Sequence, residues 1–483
     1  IAMGDILASA DLSFSLCSML TGSAVELLDR WGSPDQQRRY LPKLVTGEWT
    51  GTMNLTEPDA GSDLGAVRTI ASPSGKRWRV SGTKVFITWG DHDMTENVVH
   101  LVLARTPDAP EGSKGLSLFA VPSRLVSASA DAGAANAVCC TGLERKLGIH
   151  ASPTCVMQFD GALGELVGER HAGMQAMFTM MNMARLSVGV EGVALAERAL
   201  QASALYASTR HQGHLPGEPV GRRVVIASHP DVARMLMTIR SLVDAARLLV
   251  YRTAHAVDVS QRHPDERRRA EAADMAAFLV PLAKAWPTDA VNEAASLALQ
   301  IHGGVGFIED SGVPQILRDA RITAIYEGTN GIQAIDLLQR KLDLRSGTPA
   351  ALLLEHIATT VDDLRKTGAH DEAQALAEAS MTWRQSAEVL LDRRERLPLD
   401  ALAGASPFLT MTATLVAGWL LARRFIRSDA SVSGTDAGAV THFFLTQRLP
   451  AYAALAHQVR GSARDLSWND GEVALPGGRQ RPE

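Results

Sequence analysis

The stretch Ile325-Tyr326-Glu327-Gly328-Thr329-Asn330-Gly331-Ile332-Gln333 decides how the chain is read. One acid follows an apolar pair and precedes a glycine. Apolar surroundings disfavour a carboxylate and raise its pKa, which suits a proton acceptor working near neutrality. Gly328 and Gly331 permit a tight turn. Asn330 and Gln333 resemble a helix-start pair, and Ile332, Ile335, Leu338 and Leu342 then recur at helical spacing. These residues put the acid on a loop at the mouth of a helix. Taken alone, a surface glutamate stabilised by the helix dipole satisfies the same pattern, so the rest of the chain must decide.

A chain of 483 residues exceeds one core and implies two to four domains. With 46% hydrophobic and 21% charged residues it buries a sizeable interior. A net charge of −5 gives no electrostatic reason to expect nucleic acid or an anionic membrane surface. The basic run from Arg262 to Arg269 is broken by Asp265 and Glu266 and reads as a solvated helix start. Cys17, Cys139, Cys140 and Cys155 have neither zinc nor disulfide-framework spacing, which favours a reducing compartment and a cytoplasmic location. No signal peptide is expected; the chain begins at Ile1 within a helical pattern and reads as truncated. The apolar run 407–422 is shorter than the ~20 residues of a membrane span. It carries Thr410, Thr412 and Thr414 and ends in Arg423-Arg424, so a buried helix is expected and no transmembrane segment.

Read in order, the chain is mainly α with a central β domain. Residues 1–47 are expected to form a partial N-terminal helical domain, 48–168 a middle β domain, 169–345 a four-helix bundle, 350–465 a helical extension and 466–483 a loose tail. Strand patterns fall at 48–56, 77–80, 83–89, 98–104, 116–121 and 154–160, with Ser81-Gly82 as the joint between two of them. Helical patterns run from Met174 to about Arg210, then over 230–259, 266–301 and 331–344, with a Gly/Pro-rich loop at 211–221. Further helices are expected at 350–366, 371–396, 408–427 and 438–461.

Three other motifs accompany the opening stretch. Met53-Asn54-Leu55-Thr56-Glu57-Pro58-Asp59-Ala60-Gly61-Ser62-Asp63 ends a strand in a loop whose N–H groups and hydroxyls can meet a flat polar ring edge and a phosphate-bearing ligand. Lys84-Val85-Phe86-Ile87-Thr88-Trp89-Gly90 is a strand with aromatic and hydroxyl positions before a turn. Gln300-Ile301-His302-Gly303-Gly304-Val305-Gly306-Phe307 follows a helix rather than a strand, so it is a glycine-capped helix end and not a dinucleotide fingerprint. Each has a plain structural reading when it stands alone. Asp91, His92, Asp93 and Glu96 lack ligand spacing and read as a solvated turn, so no metal is expected.

In this order and near these separations, the four motifs resemble the acyl-CoA dehydrogenase family from about residue 20 to 345. The stretches FITWGDHDMTEN and LGIHASPTCVMQFDGA, with the 350–465 extension, are similar to the branch that includes 3-methylmercaptopropionyl-CoA dehydrogenase. The resemblance implies a helical N-terminal part, a barrel-like middle domain and a four-helix bundle, with FAD as cofactor and an acyl-CoA as substrate. Glu327 matches the family's base, which takes the α-proton as the β-hydrogen leaves to the flavin. Some relatives place the base just before the arginine matched by Arg185; here that position is Ala184, which cannot accept a proton.

Leu55 and Thr56 match contacts to the flavin's pyrimidine edge, Ile87 and Thr88 those near its reactive nitrogen, and Phe86 an aromatic cover over the ring. Arg210 and Gln212, with Gln300, Gly303 and Gly304, match contacts made across a dimer interface to the partner's FAD. Thr329 matches a contact to the adenosine diphosphate portion. Ser62, Asn182 and Arg185 match positions around CoA or the base, and Tyr326 and Gly328 the wall beside the thioester. Met177, Phe178 and Met181 fit either an acyl tunnel or plain core. The implied partners are electron-transferring flavoprotein and a second copy of the chain, as a homodimer or larger assembly. An oxygen-using acyl-CoA oxidase and a non-catalytic flavin or acyl-CoA scaffold are the alternatives. Only about 50 residues precede the TEPDAGSD motif, where the family usually has more than twice that, so the resemblance implies either a partly open acyl pocket or a chain given in part.

Overall fold

Local capping sets the first helices of the computed structural model, which describes residues 1–217, 221–428 and 436–466. The chain opens with α1 (Ala2–Ala10), α2 (Leu12–Trp31) and α3 (Pro34–Thr46). The Asp11 carboxylate accepts from Phe14 N at 2.9 Å and starts α2. Ser33 and Gln36 form a reciprocal capping box ahead of α3, with Pro34 in its first turn. Gly47, at φ +77°, ends it and turns the chain into the sheet.

The strands are β1 (Trp49–Asn54), β2 (Ile70–Ser74), β3 (Arg77–Thr88), β4 (Asn97–Arg105), β5 (Leu116–Pro122), β6 (Arg124–Val126), β7 (Ala132–Ala135), β8 (Val138–Leu143) and β9 (Thr154–Val167). Strands β4 and β5 are apolar along both faces because both faces are covered; Val99, Leu101, Val102, Leu103, Leu118 and Phe119 are all buried. β4 pairs antiparallel with β5, Leu101 opposite Ala120. The path β4-β2-β3-β9-β5 returns to β4 and closes the sheet into a barrel. β1 adds parallel to β4, with Trp49 opposite Asn97, and β8 adds to β9.

One expectation is corrected here. Ser81-Gly82 is not a joint between two strands but a register shift within the single strand β3, where Val80 faces Ala162 and Ser81 faces Asp160. A Cβ at Gly82 would run into Thr69, so glycine is required by the close approach of backbone. A second shift falls between Lys84 and Ile87 and releases Val85 and Phe86 from the β9 ladder.

The long helices are α4 (Gly173–Thr209), α5 (Pro230–Arg262) and α6 (Glu266–His302), joined by the shorter α7 (Val313–Thr323). Sequence periodicity missed α7, which Gly312 at φ +73° and Pro314 introduce. Asp265 starts α6 by accepting from Arg267 N and Arg268 N. Inside α6, Pro281 and Pro287 remove two N–H donors. Glycines bring α4 against this interrupted segment: a Cβ at Gly189 would strike the Ala283 carbonyl, and one at Gly192 would lie 2.8 Å from the Pro287 carbonyl carbon. One core joins α1 and α2 to the bundle through Leu16, Leu195, Ile239, Val291 and Ile316. A second joins α2, α3, the start of α4 and the sheet.

The chain divides into two compact units, Ile1–Ile332 and Gln333–Glu483. Helix α8 (Asn330–Asp336) leads through a π turn, Leu337–Lys341, into the second unit. That unit contains α9 (Thr348–Lys366), α10 (His370–Arg396), α11 (Pro398–Ala403), α12 (Ala405–Arg427), α13 (Asp436–Phe443) and α14 (Tyr452–Val459). Helix α12 is long and apolar enough to cross a membrane, yet 78% of its most apolar window is buried inside the protein. Two threonines bind its surroundings: Trp383 Nε1 donates to Thr412 Oγ1 at 2.8 Å, and Trp419 Nε1 to Thr360 Oγ1 at 3.0 Å. It is a core helix, as its threonines suggested. The tail assigned from 466 lies, beyond Leu466, outside the described residues, as does 218–220 of the 211–221 loop.

Candidate active site

Glu327 sits in the turn between α7 and α8 at φ +54°, a left-handed conformation that costs a non-glycine residue roughly 1–2 kcal/mol. Gly328 follows at φ +85°. The turn is closed by Asn330 N donating to the Ala324 carbonyl at 3.1 Å. The expected helix-start pair of Asn330 and Gln333 is corrected: Thr329 Oγ1 is the cap, accepting from Ile332 N at 3.2 Å. The Asn330 side chain turns instead to α6. Its amide nitrogen donates to the Ala285 carbonyl, Thr288 Oγ1 and Asp289 Oδ1, and its oxygen accepts from Lys284 Nζ at 2.8 Å. One amide therefore staples the acid-bearing turn onto the proline-interrupted part of α6.

Helices α4 and α6 bring three buried charged side chains to this turn: Arg185, Glu191 and Lys284. Tyr326 donates its hydroxyl to Glu191 Oε2. Removal from water pushes the half-buried Glu327 up to about 7, partly offset by the positive charges of Arg185 and Lys284. Burial likewise drives Glu191 to about 8; the Tyr326 hydrogen bond pulls it down and the Glu327 charge pushes it up. Lys284 falls to about 8 through desolvation, against the pull of Asp289, Glu327 and Glu191. An acid poised near neutrality in a half-buried, strained turn can take a proton from a carbon acid at physiological pH.

Sequence reading picked out Glu327, Tyr326, Gly328 and Arg185 but missed Glu191 and Lys284. Arg185 also bonds Asn182 Oδ1 through Nη1 at 3.4 Å, with Asn182 exposed. Thr329 lines a recess of about 430 Å³ with Asp289, Asn292, Arg321 and Asn330.

A second group of expected residues gathers at the barrel mouth. The Leu55 carbonyl accepts from the buried Lys84 Nζ at 2.9 Å, and the Thr56 carbonyl accepts from Val85 N at 3.0 Å. Lys84 also pairs with Glu57 Oε1 at 2.8 Å. Glu57 further accepts from Arg68 N and from the Thr69 N–H and hydroxyl, which fixes the loop from below. Phe86 stands beside it at φ +59° with 62% of its surface exposed, Ile87 is buried and Thr88 half-buried. Ser62 lies exposed further along the loop.

A third group collects at one end of the bundle. The Tyr206 and His302 rings stack with centroids 4.4 Å apart, joining the ends of α4 and α6. Arg210, Gln212, Gln300, Gly303 and Gly304 are all exposed around this stack. Met177 is in the core between α4 and the sheet, while Phe178 and Met181 are half-buried. His92 Nε2 lies 2.9 Å from Thr50 Oγ1, and Asp91, Asp93 and Glu96 are exposed, as a solvated turn requires.

Comparison with known proteins gives this geometry a context. Residues 52–162 match the acyl-CoA dehydrogenase middle domain and 171–342 the acyl-CoA dehydrogenase C-terminal domain. Residues 353–467 match a domain described as acetyl-CoA dehydrogenase C-terminal like. A 3-methylmercaptopropionyl-CoA dehydrogenase of Ruegeria pomeroyi is 47% identical over 95% of this chain and 78% of its own length. A butyryl-CoA dehydrogenase of Syntrophomonas wolfei is 40% identical over 68% of this chain, which spans 56% of that protein. The crystal structure of an acyl-CoA dehydrogenase complexed with FAD from Bacillus anthracis superposes with a TM-score of 0.72 at 23% identity, covering 89% of this chain and 72% of its own.

Proposed function

The chain belongs to the acyl-CoA dehydrogenase family, and from that premise we propose that Glu327 abstracts the α-proton of an acyl-CoA thioester on the way to a trans-2-enoyl-CoA. The observation that carries this reading is a half-buried carboxyl in a left-handed turn, stapled to α6, with burial raising its proton affinity toward neutrality. In its ionised form Glu327 accepts the proton as the α-carbon–hydrogen bond breaks. Arg185 and Lys284 keep that ionised form accessible inside a low-dielectric site. The Asn330 staple on α6 holds the carboxyl in place, so little reorganisation accompanies the transfer.

The residues at the barrel mouth fit FAD. The Leu55-Thr56 backbone is held rigid from beneath by a buried ion pair. An apolar phenyl ring is held out to solvent at positive φ immediately beside it, an arrangement that a flat aromatic ligand would cover. FAD, when bound there, supplies the acceptor for the β-hydride. Leu55, Thr56, Phe86, Ile87 and Thr88 would hold its ring. Arg210, Gln212, Gln300, Gly303 and Gly304 are suitably exposed to reach the cofactor of a second copy in a homodimer. Thr329 would meet the adenosine diphosphate portion, although its hydroxyl already caps α8. Ser62 and Asn182 would lie toward CoA, with Tyr326 and Gly328 beside the thioester.

The 47% identity to a 3-methylmercaptopropionyl-CoA dehydrogenase supports a short acyl chain, with a thioether-bearing one first to be tried. Family membership supports electron-transferring flavoprotein as the electron acceptor. The test is anaerobic flavin reduction across a panel of saturated acyl-CoAs, including a thioether-bearing one. Bleaching with a short member, re-oxidised by electron-transferring flavoprotein faster than by air, is the expected result. No bleaching with any member would sink the reading, and rapid peroxide formation in air would point to an oxidase.

A further inference from the structure

Glu191 has no part in the reading above, yet it is a deeply buried acid at the site. It lies on α4 within Val188-Gly189-Val190-Glu191-Gly192-Val193, among apolar and small residues, with 3% of its surface exposed. Its observed hydrogen-bond partner is the hydroxyl of Tyr326. Tyr326 immediately precedes Glu327, whose backbone is held in the left-handed region. A strained conformation persists only where its surroundings over-determine it. The Asn330 staple fixes the far side of the turn to α6; the Tyr326 hydroxyl fixes the near side to α4.

We infer that Glu191 is a positioning residue for the base, acting through the Tyr326 hydroxyl to hold the strained Glu327 turn, and that it does so in its uncharged form. This deepens the proposed function and rests on Glu327 being the base. The charges that face Glu191 decide its form. From the turn come Tyr326 and Glu327, and from α6 Lys284; Arg185 of α4 acts on Glu327 and Lys284, and Asp319 of α7 faces Tyr326. Two acids beside each other in a dry site do not ionise together. Glu327 is the more accessible to solvent and is acted on by both Arg185 and Lys284, whereas Glu191 is buried among apolar residues, so ionisation falls on Glu327 and Glu191 keeps its proton. A neutral carboxyl still accepts from a phenol.

An amide has the same shape and acceptor as a neutral carboxyl, which sets up the test. Glu191→Gln is expected to keep kcat at pH 7 within about twofold, whereas Glu191→Leu, which removes the acceptor, is expected to lose roughly tenfold or more in kcat with a smaller change in KM. The pH profile separates positioning from mere packing. Glu191 and Lys284 both titrate toward the alkaline side of the wild-type profile, and Glu191→Gln should narrow that limb to the single step left by Lys284, whereas a packing role would leave it unchanged. If Glu191→Leu loses its FAD or fails to fold, Tyr326→Phe takes its place, since it deletes the same hydrogen bond and adds no cavity; a similar loss in kcat is expected. Equal activity of Glu191→Gln and Tyr326→Phe with the wild type, at unchanged pH profiles, would overturn the inference. So would a Glu191→Gln variant as impaired as Glu191→Leu at pH 7. A Glu327→Gln control that still turned over would instead remove the reading on which the inference rests.

Discussion

Two buried lysines, Lys84 under the barrel mouth and Lys284 beside the Glu327 turn, are both pushed down to about 8 by burial, yet the acids around them behave in opposite ways. Lys84 is in direct contact with Glu57, which also receives two backbone N–H groups and a hydroxyl, and the Glu57 carboxyl is held below its usual range. Although burial is the largest single influence on Glu57 and works the other way, the lysine and the donors together outweigh it. Lys284 gives its hydrogen bond to an amide oxygen instead, and Glu191 and Glu327 rise. A cation nearby is therefore not enough to keep a buried acid ionised, and neither is a single neutral donor; a contacting cation together with several donors is. The barrel uses its acid as a rivet. The bundle leaves an acid short of donors, and that shortage gives it a proton affinity that chemistry near neutral pH can use.

The sharpest way to break this contrast is at Glu327. Glu327→Gln is expected to retain FAD and lose turnover by roughly 10²–10⁴-fold, read by steady-state kinetics beside the flavin spectrum. In the wild type, kcat/KM should rise with pH through about 7 as Glu327 loses its proton, and a profile flat from pH 5.5 to 8 would count against the assignment. Next in size is Glu57→Ala. It leaves the buried Lys84 ammonium without its carboxylate and is expected to cost about 3–5 kcal/mol in thermal or urea unfolding, with weakened FAD retention. Asn330→Ala removes the staple to α6 and should cost about 1–3 kcal/mol, with kcat falling more than KM changes.

The smallest effect has the opposite sign. Glu327 holds its proton more tightly in the folded state than in the unfolded one, so its ionisation destabilises the fold as pH rises from about 4.5 through 7. Glu327→Gln removes that cost. It should therefore stabilise the protein by roughly 1–2 kcal/mol at pH 8, a figure already reduced for the solvent that reaches a half-buried carboxyl, and by nothing near pH 4. Glu57 runs the other way: its stabilisation is present above its unfolded value near 4.5 and fades as pH falls further. Unfolding curves of the two variants at pH 3, 4.5 and 8 compare both slopes directly, Glu57 between the first two and Glu327 between the last two.

Much of this architecture is legible in the amino-acid sequence. The motif around Glu327 and the loop around Leu55 and Thr56 were legible because each combines a chemically specific residue with turn glycines or prolines. The helical extension was legible from apolar spacing alone. What escaped was whatever depended on a partner distant in sequence. Ser81-Gly82 has the composition of a turn, and only the approach of Thr69 turns it into a bulge. Asn330 has the chemistry of a helix cap, but α6 offered it better partners and Thr329 took the cap. Glu191 left a signal that could have been used: an acid flanked by Val190, Gly192 and Val193, in a run from Leu186 to Leu195 whose other residues are apolar or small, has nowhere to go but inside. Lys284, between two prolines in an apolar run, left the same one.

Helix α6 acts as a rigid spacer between two parts of the site. Its proline-interrupted middle carries the Lys284 and Ala285 groups that seat the base-bearing turn, and its C-terminal end carries Gln300, Gly303 and Gly304. Between Lys284 and Gln300 it is a ruler of about 24 Å at 1.5 Å per residue. One residue inserted along that span would lengthen the ruler by only about 1.5 Å but would turn one end against the other by about 100°. The distal end would then present a different face while the base stayed where it is. The spacing from turn to helix end is thus set by register, in steps too coarse to drift, and shortening or lengthening it gradually is not open to this fold.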